Sequence, residues 1–259
     1  MVDDMNGLPK VCVLLSTYNG ENFLPELLES LSRQQDVNVT ILARDDGSAD
    51  HTTDILQNFS GCDIQIIKGT NKGATESFFC LIDAATEADY YAFADQDDVW
   101  DDDKLICAVR KLQQYSEVPA IYSSNTRLVD GELHLIQVED KRPITNLESA
   151  LIKNYVTGCT AVCNMKLMLE LQKYHPLNIP FHDWWANVVA LSIGGISLFD
   201  STPHISYRQH SSNVVGAGTS KLSIFKSRIQ KFNKPYHREN MARQILNAYL
   251  ECHWSFGGL

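Results

Sequence analysis

The sequence predicts an α/β protein with a mostly parallel central sheet flanked by helices. Three observations carry that expectation. Apolar runs rich in β-formers alternate with helical spacings through about the first 95 residues, the pattern of strands joined by covering helices. A polar or glycine-rich loop follows each of the four apolar runs. The chain has 259 residues, 44% hydrophobic and 21% charged, which suits one large globular domain or two modest ones.

Taken in order, "VCVLLS" (11–16) reads as a strand and Asn19-Gly20 as a turn signal. Leu24, Leu27, Leu28 and Leu31 then recur at helical spacing, with Pro25 tolerable in the first turn. "VNVTILA" (37–43) alternates like a strand and stops at "RDDGS"; a helix over Thr52 to Phe59 and the strand "DIQII" (63–67) follow. After the "NKG" turn, Phe78, Phe79, Ile82 and Ala85 suggest an amphipathic helix, and "YYAFA" (90–94) a fourth strand. The second half is looser. It predicts a helix over 102–115, strands at 120–124 and 157–163, a β segment near Leu133 to Val138, and a helix through Leu171. "WWANVVALSIGGISLF" (Trp184 to Phe199) reads as a buried helix, a Gly194-Gly195 turn and a strand, being short of the ~20 apolar residues that span a bilayer.

In open α/β sheets ligands bind beyond the carboxyl ends of the strands. "STYNGE", "RDDGSAD", "KGTNKG" and "DQDD" all fall at such ends, so the four loops are read together. Nucleic acid is not an expected partner, because a net charge of -10 offers no basic face for phosphates. The seven cysteines are scattered without a CxxC pair and read as reduced core residues. "MVDDMNGLPK" lacks an export signal's basic-then-apolar pattern, so the expected location is cytoplasmic.

The densest feature is "AFADQDDVWDDDK" (92–104), with six aspartates in nine positions. Asp95, Asp97 and Asp98 lie where a buried strand ends, and carboxylates crowded there are costly unless a cation neutralises them. Oxygen ligands in that number suit Mg2+ or Mn2+. Asp101, Asp102 and Asp103 instead begin a helix, where negative charge complements the dipole and caps free N–H groups.

With "STYNG" at the first strand, "DDGSAD" at the second, a DxD-type element at the fourth, and the later "HDWW" and "SYRQHSSNVVG", the chain resembles the inverting family 2 glycosyltransferases, most closely their rhamnosyltransferase-like branch. The resemblance covers roughly residues 9 to 217. It implies a GT-A fold, a Rossmann-like sheet with a mixed acceptor-side half, and a helical C-terminal tail. As domains it implies a nucleotide-binding half over about 9–100, an acceptor half over about 101–217, and a basic extension over 218–259.

It also implies site residues. Thr17, Tyr18 and Glu21 would line the pocket for base and ribose, and Asp46 would accept the N3–H of a uracil or thymine. Gly73 would let the backbone approach the nucleotide, Asp95 would touch ribose or metal, and Asp97 would be the direct metal ligand. Asp183 would be the catalytic base, ionised at pH 7 with an ordinary pKa near ~4. Several positions have a plainer alternative. Asn19-Gly20 can be only a turn, Asp46-Gly47-Ser48 only an Asx-type turn, Asp45 structural or ligand-binding, and Asp183 a helix N-cap. Trp184 and Trp185 offer either a sugar-stacking face or core packing. Arg208 and His210 alternate on a strand-like segment, placing a guanidinium for diphosphate oxygens and an imidazole for the metal shell. His182 and His204 read as structural.

The expected reaction is transfer of L-rhamnose from dTDP-L-rhamnose to a hydroxyl of a glycan or lipid-linked acceptor in bacterial cell-surface polysaccharide synthesis. A UDP-hexose or UDP-HexNAc donor, a nucleotidyltransferase and a non-catalytic sugar-nucleotide-binding subunit are the rivals. Lys221 to Arg243 carries seven basic residues and one acidic residue among apolar ones. That composition is either a solvated helical terminus or a surface for peripheral contact with the inner face of the membrane.

Overall fold

The computed structural model describes residues 7–209 and 236–250. His210 and residues 221–235 of the basic tail lie outside them, so the expectations placed there are not addressed. The first half alternates as expected: β1 (Lys10–Thr17), α1 (Leu24–Ser32), β2 (Asn38–Asp45), α2 (Thr52–Asn58), β3 (Asp63–Lys68), α3 (Ala74–Ala84) and β4 (Tyr90–Asp95). Then come β5 (Val99–Trp100), α4 (Lys104–Leu112), β6 (Ala120–Ser124), β7 (Arg127–Val129), β8 (Leu135–Val138), α5 (Leu147–Ile152), β9 (Val162–Asn164) and α6 (Met165–Leu171). The chain continues through α7 (His182–Ser192), β10 (Ile196–Asp200), β11 (Ile205–Arg208) and α8 (Tyr236–Ile245).

The main sheet has seven strands in the order β10-β6-β9-β4-β1-β2-β3, with β9 alone antiparallel to its neighbours. β1 shows why the sheet is covered on both faces. Val11, Val13 and Leu15 meet the leucines of α1 and the apolar side of α4; Cys12 and Leu14 meet Phe78 and Phe79 of α3 and the helix α7. A period-2 strand with both sets apolar can only sit inside such a sandwich. His182 belongs to the second layer, stacked 3.7 Å from Phe78 and edge-on to Phe93, the structural part expected of it.

A second sheet, β5-β11-β7-β8, stands beyond β4. Its two shortest strands, the two-residue β5 and three-residue β7, have too little sequence to announce themselves. The strand expected over 157–163 divides: Gly158–Thr160 forms a 3-10 turn closed by Thr160 Oγ1 donating to Thr157 O at 2.7 Å, and only Val162–Asn164 pairs. Gly194 does take a positive φ of 78° in the turn between α7 and β10. Helix α8 buries Met241 and Ile245 in the core layer that contains α5 and α7. Among the described residues no helix is long and apolar enough to cross a membrane.

Candidate active site

Parallel register brings the strand ends level. Thr17 pairs with Asp45, Ser16 with Asp95, and Asp45 with Lys68, so β3, β2, β1 and β4 deliver their loops to one edge. The polar loops singled out in the sequence therefore converge.

Within this edge the side chains divide between those facing outward and those spent internally. Tyr18 is 46% exposed, which leaves an aromatic side chain for a planar ligand to stack on. Its backbone is clamped on both sides by Gln96, whose Oε1 accepts from Tyr18 N–H at 2.8 Å and whose Nε2 donates to Tyr18 O at 2.9 Å. Gly20 leaves room for this clamp, since a Cβ there would push the Gln96 amide aside. Gly73 takes φ 84° with open space where a side chain would be, which fits close approach of a ligand to backbone.

Three expected base-pocket residues are engaged by partners within the protein. The Thr17 hydroxyl is buried against Arg44 O (3.3 Å) and Asp45 Oδ1 (3.4 Å). Glu21 Oε2 accepts the His51 N–H at 3.0 Å, steadying the start of α2. Asp46 was expected as a free acceptor, yet both its oxygens already have donors. The Arg44 guanidinium and Lys72 N–H reach Oδ1, and the Gly73 N–H reaches Oδ2 at 2.8 Å. Its carboxylate anchors the Lys72-Gly73 loop and neutralises a cation only 3% exposed. Asp45 likewise closes the Asx-type turn, accepting Ser48 N–H at 3.0 Å.

Asp95, Asp97 and Asp98 gather at the end of β4. Burial, then Asp97 and Asp183, push Asp95 up to about 7; burial, then Asp97 and Asp95, push Asp98 well above the usual carboxylate range. Asp98 Oδ1 accepts the Arg208 N–H at 3.1 Å, while its fully buried Oδ2 has no hydrogen-bond partner among the described residues. Asp95, Asp98 and Cys159 each bring a ligand atom within 4.8 Å of the others. Mutually repelling carboxylates with an orphaned buried oxygen fit a divalent, oxygen-seeking cation. The next three aspartates behave differently from the expected caps: no side chain caps α4. Asp101 pairs with Arg127, Asp102 with Arg33 at 3.2 Å and Asp103, the N-cap residue, with His204 at 3.1 Å, so their carboxylates are engaged by neighbouring elements.

Asp183 sits in the first turn of α7 and is buried, with Oδ1 accepting from Asn154 Nδ2 at 3.1 Å. It does not cap the helix, whose N-cap is Phe181. Burial pushes it up to about 6 against the opposing hydrogen bonds from Trp184, Asn154 and Gly158. Trp184 and Trp185 supply no stacking face. Trp184 donates Nε1–H to Ala150 O at 2.6 Å, and Trp185 is fully buried beside Tyr174 and Tyr249. A helix crossing the sheet face directs consecutive aromatics into the core.

Arg208 is the clearest reversal. Expected to meet diphosphate, its guanidinium is buried over the Phe23 ring and donates to Glu26, Gly131 O and Asp97 O, the last at 2.8 Å. It fastens β11 to the end of β4 and to α1. Sequence reasoning passed over Gln96, Asn154, Cys159 and Tyr207. Tyr207 is pushed up by burial and then by Cys159 and the three aspartates, so its phenol stays neutral beside them. Gln96 alone had a local signal, its place inside "DQDD". Lys104, over the Trp100 ring at 3.2 Å and lowered to about 7 by burial, had none.

With this geometry in view, the family model described as Glycosyl transferase family 2 matches residues 12–171. The dTDP-rhamnosyl transferase RfbG of Shigella flexneri is 32% identical over 249 residues, covering 90% of this chain and 84% of the relative. The UDP-Glc:alpha-D-GlcNAc-diphosphoundecaprenol beta-1,3-glucosyltransferase WfaP of Escherichia coli is 24% identical, covering 88% and 89%. Among solved structures, S. aureus TarS 1-349 in complex with UDP-GlcNAc superposes with a TM-score of 0.65 at 20% identity, covering 95% of this chain and 73% of that one. That likeness establishes a shared fold.

Proposed function

The chain belongs to glycosyl transferase family 2 and is a glycosyltransferase; from that premise we propose that it moves L-rhamnose from dTDP-L-rhamnose to an acceptor hydroxyl with inversion at the anomeric carbon. The observation that carries the reading is the meeting of Asp183 with the β4 aspartates, close enough that its charge raises Asp95. Donor phosphates and an acceptor hydroxyl then find carboxylates within one site. Rhamnose as the sugar is supported by the rhamnosyl transferase relative.

The Asp183 carboxylate, oriented by Asn154, takes the proton of the acceptor hydroxyl as that oxygen bonds to the anomeric carbon and the bond to the nucleoside diphosphate breaks. Tyr18 gives the base a stacking face, and the open backbone at Gly73 admits the nucleotide. Asp95 and Asp97, backed by Asp98, would hold Mg2+ or Mn2+, which supplies positive charge against the departing diphosphate. Arg208 positions the Asp97 carbonyl and β11. The catalytic unit is residues 1–217 with α8 packed on its core, and the basic residues of the extension serve peripheral membrane contact near a glycan or lipid-linked acceptor in bacterial cell-surface polysaccharide synthesis. A UDP-hexose donor is the second reading, favoured by the glucosyltransferase relative.

A thermal-shift screen of dTDP- and UDP-sugars with Mg2+ or Mn2+ tests the donor. dTDP-L-rhamnose should give the largest stabilisation, and turnover should release dTDP. A larger shift with UDP-hexoses would move the assignment to the second reading; release of pyrophosphate would end both.

A further inference from the structure

Among the described residues, one cluster of mixed ligands is left over outside the strand-end site. Asp103, at the start of α4, and Cys107, one turn later, are joined by the helical hydrogen bond from Cys107 N to Asp103 O at 3.0 Å. Their side chains therefore share a helix face. His204, in the loop leading into β11, lies against that face. A ligand atom from each of the three lies within 4.8 Å of the other two.

The ligand atoms are near enough to share one ion, with the two Asp103 oxygens turned to different partners. Asp103 Oδ1 is 3.1 Å from His204 Nδ1, and Asp103 Oδ2 is 3.6 Å from Cys107 Sγ. A tetrahedral zinc with ordinary bond lengths separates oxygen from nitrogen by about 3.3 Å and oxygen from sulfur by about 3.5 Å. The far side of the imidazole is also furnished. Asp200 Oδ2 is 3.8 Å from His204 Nε2, and the same carboxylate is fixed by Lys111 Nζ at 2.8 Å and by the Tyr122 hydroxyl at 3.2 Å. At 3.8 Å the carboxylate stands beyond hydrogen-bond reach and lends the outer side of the ring its negative charge. The His204 side chain is 11% exposed and that of Asp103 52% exposed, so the cluster is anchored on one side and reachable on the other.

We propose that Asp103, Cys107 and His204 form a second metal site that takes a borderline-soft divalent cation of the zinc type. One carboxylate, one thiolate and one neutral imidazole give a charge of minus two, which balances the ion. The nitrogen–sulfur–oxygen set distinguishes it from the oxygen-rich end of β4, which suits Mg2+ or Mn2+. Bound there, the ion clamps α4 to the approach of β11, reinforcing the Asp101 N–H bond to His204 O at 3.0 Å.

The test is titration of chelator-stripped full-length protein with Co2+, read by absorbance, and with Zn2+, read by unfolding temperature. Stoichiometric Co2+ should give a thiolate-to-cobalt charge-transfer band and tetrahedral visible bands. These should be lost in Cys107→Ser and in His204→Gln and retained in Cys159→Ser. Zn2+ should raise the unfolding temperature of the wild type and of Cys159→Ser but not of Cys107→Ser. Absence of a thiolate band at stoichiometric Co2+ overturns the proposal. So does a band that survives Cys107→Ser and disappears in Cys159→Ser, which would assign the ion to the β4 end.

Discussion

Asp183 must be ionised to take a proton, and burial holds it up to about 6. Turnover should therefore fall as the pH drops through about 6, since the protonated acid is far too weak a base to take the acceptor's proton. Asp183→Asn should lose on the order of 10² to 10⁴ in kcat with nucleotide affinity kept, and its residual rate should lose the acidic limb. A pH–rate profile beside calorimetric nucleotide titration checks both parts. At the same scale, Asp46 neutralises the buried Arg44. Asp46→Ala strands that guanidinium and should cost about 3–5 kcal/mol in urea unfolding. If Asp46 instead mainly contacted the base, Asp46→Ala would leave stability nearly untouched and weaken only nucleotide binding.

At the scale of elements, the β1 and β4 loops are locked to one another by Gln96 and by the missing side chain of Gly20. Gly20→Ala forces the amide aside and should destabilise by about 1–3 kcal/mol. Gln96→Ala removes the obstruction, so the double variant should recover part of that loss, a coupling read from a double-mutant cycle. Independent, additive losses would mean that the two loops are not held through this contact. Element identity was largely legible in the sequence wherever an apolar run was long enough. β1 to β4, α1 and α2 lie within a residue or two of their expected places, while α3 starts earlier and α4 ends three residues sooner than expected. β5, β7 and the split around Gly158 were not, because strands of two or three residues exist only through the partners they pair with.

For the whole molecule, α8 matters because it returns to the core after residues outside the described set. Met241 is fully buried among α5 and α7 side chains, so Met241→Ala should cost about 2–5 kcal/mol in chemical denaturation. A change under 0.5 kcal/mol would show α8 to be a loosely held appendage.

The sequence by itself determined the layered sheet, the edge at which the polar loops collect, and the aspartates at the end of β4. Those follow from local periodicity and from where apolar runs stop. Only the tertiary structure decided which side chains face the ligand edge. Arg208 reaches Asp97 and Glu26 across 111 and 182 residues, and Asp46 is claimed by Arg44, Lys72 and Gly73. A spacing along the chain places a residue at a strand end. Whether its charge then faces solvent or a buried partner depends on groups that long-range packing brings beside it, and desolvation makes that pairing obligatory.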